Sequence, residues 1–349
     1  MRKNAENDHV KILVTGGSGF LGRHLVLELQ KAGYDDIVVF NRKPCEDLRS
    51  EHVSVVYGDL QDANAVEKAT TGCDAVFHVA AKAGIWGPYR AYYQANVVGT
   101  QNVIQACLKH NVRYLVYTSS PSVAFNGQPL VNASEKVGYG DSRKMCAYAK
   151  TKMLAEKLVL RAHGEKNLQT VALRPHLIWG PGDNHLIPTI LKAAQQRRLF
   201  QVGNGDNWVD ISYVTNVAQA HLLALKELQN PTSSVAGRAF FISQGDPVQL
   251  WPWLRQLLKK LGAPQPLFKI PTCIAYILGA GFEFLYKLLC IKKQPPMTRF
   301  VAKELSQSHY FDISAAKMDL HYIPQVSNEE GMELLVSWMK KQPSGEKKL

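Results

Sequence analysis

The strongest constraint on this chain lies near its start. A short β-branched run, Lys11–Gly16, ends in glycine, continues as Thr15-Gly-Gly-Ser-Gly-Phe-Leu-Gly22, and leads directly into a helical stretch over about Phe20–Ala32 closed by Gly33. Each glycine of the Gly16-x-x-Gly19-x-x-Gly22 spacing answers a different need. The first permits a tight turn, the second lets backbone approach a pyrophosphate, and the third lets helix and strand pack closely. The helix then opens with free N–H groups, at Phe20 and Leu21, and the positive end of its dipole, a ready anion site. A glycine-rich turn alone carries little weight. Strand, loop and helix in register make this a dinucleotide-binding start, with Gly16, Gly19, Phe20, Leu21 and Gly22 around the phosphates.

The rest of the first half repeats the strand–helix rhythm. Apolar runs Asp36–Asn41, Val53–Asp59, Asp74–Ala80, Tyr114–Ser120 and Thr170–Pro175 alternate with helical segments at Ala63–Thr70, about Tyr92–His110, and Ala147–Ala162. Short, nearly continuous apolar runs separated by helices are the signature of a parallel sheet covered on both faces. The fold class is therefore α/β, a Rossmann-type doubly wound parallel sheet. After Pro175 the rhythm breaks into helical stretches at Ile187–Arg198, Val217–Leu228, Trp251–Leu261, Thr272–Ile291 and Asn328–Lys341. One further strand, Arg238–Ser243, is expected to rejoin the sheet. Residues 8–175 with 205–244 thus read as the dinucleotide-binding domain. Residues 176–204 with 245–341 read as a smaller, mostly helical substrate domain, and 342–349 as a flexible basic tail.

Charge narrows the partners. The 349-residue chain carries a formal +12, yet Trp251–Lys303 alone holds nine basic residues and one acid, and the last ten residues add +3. The remainder is close to neutral, which argues against a nucleic-acid groove and for one basic face. Six scattered cysteines show no metal-ligand spacing, so no metal is expected. The polar first ten residues lack the apolar core of a signal peptide, and a cytoplasmic location is the expectation.

The second strand decides the cofactor's 2′ end. An acid there would bond a ribose 2′-hydroxyl, whereas a nearby arginine accepts a 2′-phosphate. This strand ends Asn41-Arg42-Lys43, with no carboxylate and two cations. NADP is favoured, NAD remains open, and so does the reading of Arg42 and Lys43 as solvated loop residues. Asp59 is placed either to hold the adenine amino group or to cap the following helix.

Helix Ala147–Ala162 carries Tyr148 and Lys152, four apart and hence on one face. A free tyrosine titrates near pH ~10, too high for acid–base work. A lysine ammonium and a positive nicotinamide nearby would stabilise the phenolate and lower that value, so that Tyr148 exchanges a proton with a substrate oxygen. Ser119 or Ser120, at the mouth of the sheet, could steady that oxygen.

At this point the chain resembles the extended short-chain dehydrogenases. TGGSGFLG, GDL after the third strand, HVAAKAG, NVVGTQNV, YTSS, YxxxK and RPHLIWGPGDN occur in the family's order over about residues 11–245. Within that family, AAKAGIWGPYRAYYQANVVGTQNV, RPHLIWGPGDNHLIP and SHYFDIS are most similar to the 3β-hydroxysteroid dehydrogenase branch, which includes sterol-4α-carboxylate 3-dehydrogenases and bacterial 2-alkyl-3-oxoalkanoate reductases. The resemblance implies a nicotinamide-dependent oxidoreductase interconverting 3-hydroxy and 3-keto groups on a hydrophobic lipid. It implies Tyr148 as proton donor or acceptor, Lys152 as its partner, and Ser120 as oxygen anchor with Ser119 as runner-up. Asp59 and Leu60 of GDL, with Ala80, Ala81 and Lys82, would line the adenosine half, and Pro175 and Leu177 would lie near the carboxamide. The sterol-carboxylate enzymes usually carry aspartate where this chain has Asn41. A nucleotide-sugar epimerase or dehydratase is the alternative, though it would need a polar substrate domain with convergent arginines.

Further residues read as structural. Asn96 is expected to make a hydrogen bond near the active-site strands, or else to be a helix-surface amide. His176 and His185 read as packing or substrate-wall residues, and Asp210 as ordering its loop. The uncharged stretch Ile270–Phe282 has thirteen residues, short of the ~20 a membrane span needs, and Glu283 and Lys287 could pair at i,i+4. Segment 270–303 is expected to touch a membrane surface, to wall a greasy substrate mouth, or to be an ordinary helix. A homodimer is left open.

Overall fold

The computed structural model describes residues 10–342, so nearly all of the N-terminal stretch and basic tail discussed above lies outside the described residues. In the first half, β1 (Lys11–Thr15) leads to α1 (Phe20–Lys31), β2 (Asp36–Asn41), β3 (Val53–Tyr57), α2 (Ala63–Thr70) and β4 (Ala75–His78). Then come α3 (Gly99–Lys109), β5 (Tyr114–Thr118), α4 (Ala147–Arg161) and β6 (Gln169–Pro175). The second half contributes α5 (Leu186–Gln195), α6 (Val214–Gln229), β7 (Arg238–Ile242), α7 (Leu250–Lys260), α8 (Thr272–Leu288), α9 (Arg299–Glu304), α10 (Ser314–Asp319) and α11 (Asn328–Lys341).

The seven labelled strands form one sheet in the order β3-β2-β1-β4-β5-β6-β7, every neighbouring pair parallel. The expected last strand does rejoin it, Arg238 lying opposite Val171 and Ile242 opposite Pro175. Alternate residues of a strand face opposite sides, and here both sides are buried. Ile12 and Val14 join Leu25 and Leu29 of α1 and Val217 and Ala224 of α6. Leu13, between them, joins Val66 of α2, Val103 of α3 and Val159 of α4 on the other face. Burial on both faces is why the strands are continuously apolar rather than alternating.

A third apolar cluster lies beyond the sheet. Trp179, Ile187 and Leu191 pack with Trp251, Trp253, Leu254 and Leu257, and with Met332 and Leu335 of α11. Among the elements not foreseen here are α9, α10 and a short strand, His309–Phe311, that pairs in parallel with Leu130–Ala133 and with Val209. Each is six residues or shorter, too brief for periodicity to register.

Two expectations are corrected in this region. The helix expected over Tyr92–His110 starts earlier, as a turn at Tyr89–Tyr92, and widens into a π-helical stretch, Tyr93–Val98, before α3. Such wide turns often mark places where a side chain is re-aimed, and Asn96 sits inside this one. Glu283 does not pair with Lys287. It turns across to Arg299, bonding its Nε at 2.9 Å and Nη2 at 2.7 Å, and also accepts the Arg299 N–H at 2.8 Å.

Under the sheet edge, Arg174 of β6 makes a two-pronged ion pair with Glu156 of α4, at 3.0 and 2.6 Å, with side chains 5% and 0% exposed. A buried pair of this kind adds little net stability, but removing one partner strands a charge, at about 3–5 kcal/mol. Arg174→Leu should therefore lower the urea unfolding free energy by about that much. Arg174→Leu combined with Glu156→Met should recover most of it. A single variant as stable as wild type would show that the carboxylate is solvated after all.

Candidate active site

The sheet order reverses between β1 and β4, and a crevice opens outside the carboxyl ends of these strands, the usual ligand position in such sheets. The crevice is a cavity of about 580 Å³. Every residue singled out from the sequence for cofactor or catalysis lines it, from Arg42, Lys43, Asp59 and Leu60 at one end to Ser120, Tyr148, Lys152, Pro175 and Leu177 at the other.

The glycine loop is shaped by close backbone approach. Gly16 has φ +73°, and a Cβ there would sit 2.9 Å from the Ala80 Cα. A Cβ on Gly22 would come within 2.2 Å of the Gly16 carbonyl oxygen. Helix α1 can thus begin hard against the turn only because position 22 has no side chain. Asn41 closes the loop from the side. It is 5% exposed, its Oδ1 accepts the Ser18 N–H at 3.2 Å, and its Nδ2 donates to the Cys45 sulfur at 3.2 Å. Its amide is therefore committed to holding the loop.

Next to it, Arg42 is exposed and lies 3.7 Å from the Asp59 carboxylate. The capping alternative for Asp59 is excluded: Asp62 caps α2, accepting the N–H groups of Asn64 and Ala65, while Asp59 accepts that of Gln61. This cradle fits a dinucleotide. Its loop backbone is bare, its outer end carries cations, and deep in the cavity wall the Ser119 hydroxyl is buried without a protein partner among the described residues.

A chain of hydrogen bonds braces the inner wall. The Ala80 N–H donates to Thr15 Oγ1 at 3.2 Å, Thr15 Oγ1 meets His78 Nδ1 at 2.8 Å, His78 Nε2 meets Thr100 Oγ1 at 2.9 Å, and Thr100 donates to the Asn96 carbonyl at 2.6 Å. Because the Thr100 proton goes to Asn96, His78 must donate through Nε2 and accept through Nδ1. Burial, helped by the Lys152 ammonium, pushes His78 down to about 3, so it stays neutral. Asn96 answers its expectation as a buried connector. It bonds both backbone groups of Lys82, at 2.7 and 3.1 Å, and the Thr151 hydroxyl at 3.1 Å. This ties the Ala80–Lys82 loop to α4.

Tyr148 and Lys152 rise from the first two turns of α4. Lys152 is 2% exposed, its Nζ donates to the Thr118 carbonyl at 2.5 Å, and it lies 4.2 Å from the centre of the Tyr117 ring. Burial pushes it down to about 7 against the pull of Glu156. The tyrosine of the protein alone is shifted the other way. Burial pushes it up to about 12, with the hydrogen bond from Ser120 the one influence in the opposite direction. The lysine does not lower it in the protein alone, because its ammonium is turned to the Thr118 carbonyl. Ser120 receives the Ser122 N–H at 3.3 Å and the Ser122 hydroxyl at 2.9 Å, so its own proton is free to point at Tyr148. That separates Ser120 from Ser119.

The far wall holds residues the sequence reading passed over or left as packing. His176 Nε2 lies 2.6 Å from His309 Nδ1, both rings buried, and burial keeps His176 well below the usual histidine range. Leu177 adopts φ +39°, a strained value for leucine, and its carbonyl accepts the Ser212 N–H at 3.2 Å. His185 also lines the cavity. Asp210 orders its loop, accepting the Phe311 N–H at 2.8 Å. His309 was missed as a site residue, although it lies in the SHYFDIS stretch. Phe300 and Lys303 were missed because they sit on the short α9. No group of three or more His, Cys, Asp or Glu among the described residues could hold a metal.

Comparison with known proteins agrees with this architecture. The profile of the 3-beta hydroxysteroid dehydrogenase/isomerase family matches residues 13–272. The 2-alkyl-3-oxoalkanoate reductase of Stenotrophomonas maltophilia (strain K279a) is 46% identical over 328 residues, covering 93% of this chain and 98% of that protein. The decarboxylating sterol-4-alpha-carboxylate 3-dehydrogenase of Homo sapiens is 34% identical over 340 residues, covering 96% and 90%. Among solved structures, UDP-glucose 4-epimerase from Thermotoga maritima matches with a TM-score of 0.73 at 20% identity, covering 95% and 99%, a likeness of fold alone.

Proposed function

The chain belongs to the 3-beta hydroxysteroid dehydrogenase/isomerase family, and from that premise we propose that it interconverts a 3-hydroxy and a 3-keto group on a hydrophobic lipid with NADP(H). The observation that carries the reading is the meeting of Ser120, Tyr148 and Lys152 in the cavity that the glycine loop opens. When bound, the nicotinamide supplies or accepts the hydride. Arg42 and Lys43 would meet a 2′-phosphate, with Asp59 on the adenine side, and Ala80, Ala81 and Lys82 along the adenosine. Pro175 and Leu177 would face the carboxamide.

The chain's own groups handle the proton. Ser120 and Tyr148 both reach one substrate oxygen. In reduction Tyr148 gives that oxygen its proton, and in oxidation it takes one. Lys152 stabilises the phenolate left behind, the more so with its charge undivided by solvent. A nucleotide-sugar epimerase is not favoured. Among the described residues, the arginines that line the adjoining cavity are each paired, Arg143 with Asp141 and Arg299 with Glu283, and offer no unpaired, convergent pair for a diphosphate.

A contact with an anionic membrane surface belongs to the same proposal. Helix α8 buries only Ala275 and Gly279. Ile277, Phe284 and Leu288, spaced along one face, are 68%, 70% and 65% exposed, and Lys269, Lys287, Lys292 and Lys293 flank them. No helix among the described residues is long and apolar enough to cross a membrane. An apolar face framed by lysines suits anionic lipid.

Four outcomes check the proposal. Tyr148→Phe should lower kcat by ~10²–10⁴, the usual scale for a general acid–base group, with NADPH binding little changed. Because burial holds Tyr148 protonated at neutral pH, wild-type alcohol oxidation should climb with pH between about 7 and 10 while reduction does not. A flat oxidation profile speaks against Tyr148 as the base. NADPH should bind about tenfold or more tightly than NADH, on the scale of a charge-assisted hydrogen bond, and Arg42→Ala should narrow the gap. Equal affinities in wild type would remove the 2′-phosphate from the argument. In sedimentation assays the protein should bind anionic vesicles at low salt and release at high salt. Failure to bind anionic vesicles at low salt rules the surface contact out.

A further inference from the structure

A second cavity, of about 970 Å³, adjoins the first, between the residues leading into α4 and helices α8 and α9. Trp86, Tyr89, Tyr276 and Tyr286 form aromatic stretches of its wall, and Arg143, Lys144, Lys150, Lys287, Lys292 and Arg299 stand among them. The outer lip is closed by the Trp86 indole N–H, which donates to the Ile291 carbonyl at 3.3 Å, and by the edge-on contact of Trp86 with Tyr286.

The two cavities share four lining residues: Ile85, Phe125, Phe300 and Lys303. Three of them are apolar, and the fourth brings an ammonium to the waist. Lys303 is partly buried and donates to the Gly127 carbonyl. It faces the Tyr276 ring, 5.7 Å from its centre. Among the described residues no carboxylate lies within ion-pair distance of it. Glu304, the next residue and itself on the first cavity, lies 3.7 Å from His309 instead. Gly127 makes the placement feasible: it has φ +84°, and a Cβ there would sit 3.3 Å from Lys303 Nζ.

A half-buried ammonium with no carboxylate partner among the described residues, between a proton-transfer site and a chamber walled by aromatic rings and further cations, calls for an anion on whatever passes through. We propose that Lys303 anchors the carboxylate of a 3-hydroxy or 3-oxo lipid acid, whose reacting carbon lies at Tyr148 and whose alkyl part lies along the aromatic walls of the second cavity. This rests on the dehydrogenase reading for the identity of the reacting carbon, while the anchor itself is a statement about binding. Neutral 3-hydroxysteroids, with no charge near the reacting carbon, would leave Lys303 unmatched.

The test is calorimetric binding of 3-hydroxymyristate and of its methyl ester to the purified chain without added nucleotide, so that no turnover accompanies binding. The acid should bind about tenfold or more tightly than the ester, the scale of a hydrogen bond to a charged group. Lys303→Met should bring that ratio close to one, and Lys303→Arg, which keeps the charge and reports on folding, should preserve most of it. Lys292→Met, at the exposed outer wall, should change it little. Equal affinities in wild type, a ratio that survives Lys303→Met, or an equal drop in Lys292→Met each overturns the anchor; the last would mean that a diffuse positive field reads the anion. NADP reduction is a separate readout. A chain that discriminates acid from ester but oxidises neither keeps the anchor and loses the dehydrogenase reading.

Discussion

A lysine ammonium held almost entirely out of water organises the active site. Lys152 cannot stay there as an isolated charge without a large desolvation cost, and the surrounding elements answer that cost. The end of β5 offers the Thr118 carbonyl, Tyr117 offers its ring face, and Glu156, one turn further along α4, offers a negative charge. Glu156 in turn needs Arg174, which fixes α4 against β6. Strand order, helix register and the height of Tyr148 above the sheet are thereby coupled. The same burial that makes the lysine costly keeps the tyrosine protonated.

The first half of the chain was legible because its constraints are local and periodic. Phe20, Asp36 and Ala63 were read as the first residues of their elements and stand there in the structure. The glycine loop was legible because Gly16 and Gly22 answer steric demands visible in the structure, most sharply at Gly22. Pairings were harder. Asp59 was weighed as a helix cap, but Asp62 takes that place because its carboxylate lies within reach of the first free N–H groups of α2. Glu283 was matched to Lys287 by spacing alone, and a partner sixteen residues away offered two guanidinium bonds and a backbone N–H. Spacing along one helix says nothing of what packs against it.

The tyrosine shows a different limit. A lysine four residues away and a positive nicotinamide ring were together expected to lower its proton affinity, and on one helical face the tyrosine and lysine are neighbours. Burial, which a sequence does not report directly, acts on both groups at once. It raises Tyr148 to about 12 and lowers Lys152 to about 7. The net direction depends on where the lysine points, and it points at Thr118. The two serines likewise differ by orientation: Ser120 accepts two bonds from Ser122, which leaves its proton for Tyr148, whereas the Ser119 hydroxyl is buried without a protein partner among the described residues.

The second half resisted reading because its functional residues sit on pieces too small for periodicity. Helix α9 has one and a half turns, and the strand at His309–Phe311 three residues, yet together they supply Phe300, Lys303 and His309 to the cavity wall. These pieces are held by the larger elements around them: α9 packs on α8 across Gly279, where a Cβ would come within 2.6 Å of the Thr298 carbonyl carbon, and the strand rests on Leu130. The first half is thus built by strong local rules, and the second supplies its part of the cavity wall from fragments positioned by long-range contact. Substitutions on those fragments can reshape the chamber while leaving the Lys152 network untouched, because no strand of the main sheet runs through them.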